Sequence, residues 1–137
     1  MNEIAVFLDE KKEISSFTEA KCVKIFVEEE DSWKVKKEIL VERTSSGKGI
    51  KEVREEYMNL AKQMDDCKIV IVNKAFGIPY SVFYAEDFSV WELAGNPLNF
   101  LDDIIIKEKD KGQITLKVDE IKRNEYNVII EKIWQVL

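Results

Sequence analysis

The sequence predicts an α/β fold: a mixed sheet with antiparallel N-terminal strands and helices packed on it. Three observations carry this. The N-terminal part holds short β-branched runs separated by polar turns, with no helical stripe among them. From Ile50 onward, helical and strand-like patterns alternate, as parallel crossover units require. The chain has 137 residues, 45% hydrophobic and 35% charged. That is one ordinary domain, 1–137, long enough to bury a core without disulfide or metal staples.

Residues 3–8 form a nearly unbroken apolar run, the pattern of a strand buried on both faces. Asp9-Glu10-Lys11-Lys12 makes a polar turn, and Ile14 to Phe17 resumes, so the opening reads as a hairpin. Cys22 to Val27 and Trp33 to Ile39 are further strands, the second partly alternating, as in a sheet with one wetter face. Glu28-Glu29-Glu30-Asp31-Ser32 is the acidic turn between them; consecutive acids alone do not supply calcium-loop geometry.

Thr44-Ser45-Ser46-Gly47-Lys48-Gly49 is a loop that ends at a helix start. Ile50, Val53, Tyr57, Leu60, Ala61 and Met64 then fall three or four apart, one stripe of an amphipathic helix ending near Asp65-Asp66. Lys68 to Val72 is a second buried strand. Pro79 to Ala85 is a short helix with proline in its first turn. Phe88 to Leu93 is another strand, and Asn96-Pro97 starts a third helix. The tail, 107–137, fits either state: Tyr126, Val128 and Ile130 alternate, whereas Ile129, Ile130, Ile133 and Val136 fit a helical stripe. The order of elements matches ribonuclease H-like architecture, an outline that many folds share.

Composition removes several function classes. The formal net charge is -6, with lysines interleaved among acids, which repels nucleic acid phosphates and anionic membranes. The longest apolar run is far too short to span a bilayer. With 0 histidines, Ser-His-Asp and Cys-His catalysis and His-bearing zinc sites are excluded. The 2 cysteines, Cys22 and Cys67, form no CxxC pair. Few cysteines and no leader-like N-terminus predict a reduced, cytoplasmic protein. No arrangement of residues marks an enzyme active site.

Ser46-Gly47-Lys48-Gly49 fails as a phosphate loop, because Glu42 stands where the motif needs glycine and Gly49 where it needs Ser or Thr. Lys74-Ala75-Phe76-Gly77-Ile78-Pro79-Tyr80 leaves a buried strand and enters a helix, an edge where ligands of α/β sheets gather. Free helix N–H groups and Lys74 would favour an anion there, and Gly77 permits close backbone approach. A plain strand-to-helix turn explains the same residues and stands first on residues alone. A Cys67 thiolate could ligate a soft metal or an iron–sulfur cluster, with Cys22 as second ligand if folding brings it near. The plainer reading is that both are small buried apolar residues.

Ile4-Ala5-Val6-Phe7-Leu8, Glu13-Ile14-Ser15-Ser16-Phe17 and Gly49-Ile50-Lys51-Glu52-Val53-Arg54-Glu55 resemble segments of the iron-only nitrogenase accessory protein family, AnfO. The strongest part is Asp66-Cys67-Lys68-Ile69-Val70-Ile71-Val72 running into Gly77-Ile78-Pro79-Tyr80, and it continues through Val82-Phe83 to Val90-Trp91-Glu92-Leu93. The resemblance covers most of residues 3–104; the tail after Ile104 departs from it, and Lys12 stands where a hairpin glycine is expected. It implies a layout similar to the nitrogenase cofactor-binding carriers, which are ribonuclease H-like. It also implies a non-catalytic helper that carries, delivers or protects an iron–sulfur cofactor or its precursor, or one that chaperones the apo-enzyme. Its partners would be nitrogenase subunits or cofactor-assembly proteins. Cys67, Lys74, Gly77, Ile78 and Tyr80 would then form the cofactor site, with Cys67 and Cys22 as metal ligands. The rival is a protein-interaction module that uses an exposed sheet edge or the acidic hairpin to bind a nitrogenase subunit.

Overall fold

The computed structural model describes residues 2–41 and 49–110. Continuous apolar runs become the interior strands. β1 (Glu3–Leu8) lies between β2 (Cys22–Glu29) and β4 (Ile69–Val72). With β3 (Ser32–Leu40) and β5 (Ser89–Glu92) the described residues form a five-stranded sheet of order β3-β2-β1-β4-β5. β1–β2 and β2–β3 are antiparallel, while β1–β4 and β4–β5 are parallel. The mixed sheet is therefore as the periodicity predicts.

Side chains alternate between faces along each strand. Phe7 points to the face covered by α1 (Ile50–Lys62) and α2 (Gly77–Ala85). There it meets Phe17 at 4.9 Å and Phe83 at 5.8 Å between ring centroids, and Tyr57 of α1 closes the cluster on Phe17 and Phe83. The opposite face carries α3 (Leu101–Asp110), which buries Leu101, Ile104 and Ile105. Two tryptophans tie that helix down from opposite edges of the sheet: Trp33 of β3 donates to Asp102 at 2.8 Å and Trp91 of β5 to Glu108 at 2.7 Å.

Several local readings change. The opening is not a two-stranded hairpin: a single bridge, Leu8 to Ile14, forms before the chain turns away, and Ser15 and Ser16 lie buried in the loop. Lys12 adopts φ 65°, a left-handed conformation that glycine enters without strain, which accounts for the glycine expected there. α1 stops at Lys62 rather than near Asp65-Asp66, and α2 starts at Gly77, two residues before Pro79. A side chain cannot relieve the φ of +72° at Gly77, so the turn into α2 is built on that glycine. Asn96-Pro97 opens a 3-10 turn, Pro97–Asn99, and α3 follows it as a separate helix. Residues 107–110 of the ambiguous tail continue α3. The rest of the tail and the loop at 42–48, with its failed phosphate motif, lie outside the described residues.

Candidate functional site

Cys67 precedes β4 by two residues, and its neighbour in the sheet register is the amino end of β1, since Ala5 pairs with Val70. It is 1% exposed, and its thiol donates to the carbonyl of Ile69 at 3.4 Å. Burial pushes the thiol up to about 11. It is a protonated, apolar core residue at neutral pH.

Cys22 opens β2 opposite Leu8, at the carboxyl end of β1. It is 2% exposed, with the Lys12 ammonium 3.7 Å from its sulfur and Glu38 3.4 Å beyond on the same ammonium. Burial raises this thiol too; the lysine opposes the shift. Levels Ala5 and Leu8 of β1 separate the two cysteines by at least three residues, or roughly 10 Å of strand rise. Two ligands of one metal ion lie within about 5 Å of each other. The pair therefore does not form a shared ligand set, and among the described residues no three Cys, Asp or Glu side chains cluster to hold a metal.

The Lys74 loop leaves the opposite end of β4 from Cys67. Lys74 and Gly77 are exposed, Ile78 and Tyr80 half-buried. Burial, then Tyr84, then Glu92 raise the Tyr80 phenol. Lys74, Gly77, Ile78 and Tyr80 are thus together, but Cys67 is not with them; Cys22 shares their edge of the sheet two strands away. The constellation of a thiolate beside an anion-favouring helix start is not assembled, because strand β4 itself stands between its parts. A buried carboxyl group already occupies one donor of this loop. Glu92, 2% exposed on β5, accepts the Ala75 N–H at 2.6 Å.

Glu92 is the functional-looking residue that pattern reading passed over. Its signal was present: a carboxylate inside the apolar run Val90-Trp91-Glu92-Leu93, where burial is costly unless a donor waits. Ser15 and Ser16 were passed over for the same reason. The loop that carries them meets the Lys74 loop directly, as the Asn73 N–H donates to the Ser15 carbonyl at 2.9 Å. Those two loops flank the point between β1 and β4 where the chain's winding direction reverses.

The β3 edge is the other prominent surface. It is exposed at most positions, Val35 at 50% and Leu40 at 76%. Lys34, Lys36 and Lys37 contact Glu29, Glu3 and Asp65 at 3.7, 2.9 and 3.6 Å.

No curated protein sequence matches the chain. A solved structure described as the crystal structure of PH0822 superposes with a TM-score of 0.52 at 17% identity, covering 75% of this chain and 89% of that one. At that identity the likeness speaks to the fold alone. A sequence model of the family described as iron only nitrogenase protein AnfO matches residues 3–135. The match runs through the tail as well, beyond the limit at Ile104 that the resemblance of individual segments suggests. With nearly its whole length matched, the chain belongs to the family of the iron-only nitrogenase protein AnfO.

Proposed function

We propose that this chain is a non-catalytic, cytoplasmic accessory protein of iron-only nitrogenase that works by binding a protein partner, either a nitrogenase subunit or a cofactor-assembly protein. The observation that carries the choice is the separation of Cys67 from both Cys22 and the Lys74 loop. Each thiol is buried and neutral, so the residues present do not fit an iron–sulfur cofactor held between them. The strand order, with β2 alone antiparallel to the rest, supports a ribonuclease H-like layout akin to the nitrogenase cofactor-binding carriers. A fold of that kind does not by itself bring the carriers' ligand.

The test is to isolate the protein without oxygen from cells assembling iron-only nitrogenase, beside a Cys67→Ser variant. Iron content, visible absorption and co-purifying proteins are measured together. A colourless, iron-free protein that brings nitrogenase subunits or cofactor-assembly proteins with it is expected from both. Near-stoichiometric iron with charge-transfer bands, lost in the variant, would replace this reading with a cofactor carrier. Iron-free protein that purifies alone would overturn the interaction reading.

A further inference from the structure

Among the described residues β3 ends the sheet and pairs with β2 alone. It is nine residues long, so it offers roughly 30 Å of main chain along its outer side. Within a chain of net charge -6, three of the four residues 34–37 are lysine. Their side chains stay 59%, 37% and 39% exposed despite their carboxylate contacts. The Lys34–Glu29 and Lys37–Asp65 pairs are exposed on both sides, and surface pairs of this kind are weak and exchange readily for another carboxylate. Lys37 also donates to the Gln63 carbonyl at 2.7 Å, and Lys36 is held by the mostly buried Glu3 while 37% of its own side chain stays exposed. Val35 and Leu40 add apolar surface to the same strand.

Lysines on an edge strand discourage pairing with a like edge. A second copy of this chain would bring the same lysines against these, and a basic partner would fare no better. The same charges favour a strand that carries carboxylates. Register shifts between Ile25 and Phe26: Phe26 pairs with Val35 and Ile25 with Lys37, which leaves Lys36 as the extra residue of a bulge. Lys37–Leu40 therefore forms a separate short edge beyond the bulge, with Leu40 exposed at its end.

We propose that the β3 edge takes an extended, acidic segment of a partner protein as an added strand, held by main-chain hydrogen bonds and by carboxylates on Lys34, Lys36 and Lys37. Such strand addition draws affinity from the main chain and specificity from alternate side chains. This deepens the interaction reading above and rests on it.

The probe is a fluorescent synthetic peptide of alternating Glu and Val, titrated against the protein by anisotropy. Its controls are peptides N-methylated at alternate amides in either register. The protein variant is the triple K34Q/K36Q/K37Q, with its fold checked by circular dichroism. Saturable binding is expected, weakened about tenfold or more by N-methylation in one register and by the triple substitution. Slowed amide exchange should be confined to residues 32–40. No saturable binding up to about 1 mM, equal binding of every methylated peptide, equal binding by the variant, or protection elsewhere would each overturn the proposal. The peptide reads the edge alone, whereas co-purification of nitrogenase subunits reads the proposed function. If subunits or cofactor-assembly proteins still co-purify with the triple variant, the edge proposal fails and the accessory role stands. If wild type binds the peptide but neither a subunit nor a cofactor-assembly protein, the accessory role fails and the edge proposal stands.

Discussion

At the scale of single residues, depth decides chemistry. A thiol is a ligand or nucleophile only as a thiolate. Cys67 is pushed up to about 11 by burial, from 9.0. The proton is held more tightly in the folded chain than in the unfolded one, so folding is favoured while the thiol stays protonated in both. This contribution is full below about pH 9 and is lost as pH rises through about 11, a fall of roughly 2–3 kcal/mol. Urea unfolding of wild type and Cys67→Ala at several pH values reads it. The stability difference between the two proteins should shrink over that window and stay constant between pH 6 and 8. A difference that does not change with pH would mean that the thiol is not desolvated. Glu92 is a second case. Its carboxylate accepts the Ala75 N–H, so Glu92→Ala leaves a buried donor unpaired at a cost of about 2 kcal/mol or more. Glu92→Gln retains an acceptor oxygen and should cost less than half as much in the same unfolding experiment.

At the scale of elements, turns determine which loops meet. Gly77 begins α2 at φ +72°, and a Cβ there would touch nothing closer than Pro79 at 3.7 Å. The demand on this position is conformational, with no crowding to add to it. Gly77→Ala should therefore cost about 1–2 kcal/mol through backbone strain while leaving the aromatic cluster of Phe7, Phe17 and Phe83 in place. Chemical denaturation measures the loss, and unchanged aromatic ring shifts in NMR spectra check that the core is kept. The glycine and proline of this loop were legible as a turn because turn chemistry is local. The place of Glu92 in an apolar run was legible too, but its donor was not, since the Ala75 N–H lies 17 residues away in sequence.

At the scale of the molecule, nothing in the described core is built around a metal. Apolar side chains on both faces of the sheet, with α1 and α2 on one and α3 on the other, account for the interior. Removal of metal with a strong chelator should leave the thermal unfolding midpoint of the protein unchanged. A drop of several degrees would signal a structural metal ion and would reopen the question of its ligands. The chain's charge acts at the same scale. A net -6 disfavours phosphate backbones throughout, yet on β3 three lysines outnumber the single acid, Glu38, and a partner strand would be selected there by sign.

Element type and order were written in the sequence because periodicity is a local property. Residues 3–8 and 69–72 are apolar at nearly every position and became the central strands. The stripe from Ile50 to Met64 became a helix packed on one face of the sheet. Absent histidine narrowed the chemistry before any fold was known, and segments such as Asp66-Cys67 with Gly77-Ile78-Pro79-Tyr80 pointed to the family. Tertiary structure alone decided which of the singled-out residues meet. Strand β4 is short in sequence but is extended, so Cys67 and Lys74, seven positions apart, lie beyond its opposite ends and do not converge. Among the described residues β3 pairs with β2 alone, which exposes an edge that no local pattern could identify, because strand neighbours are chosen by contacts between distant parts of the chain.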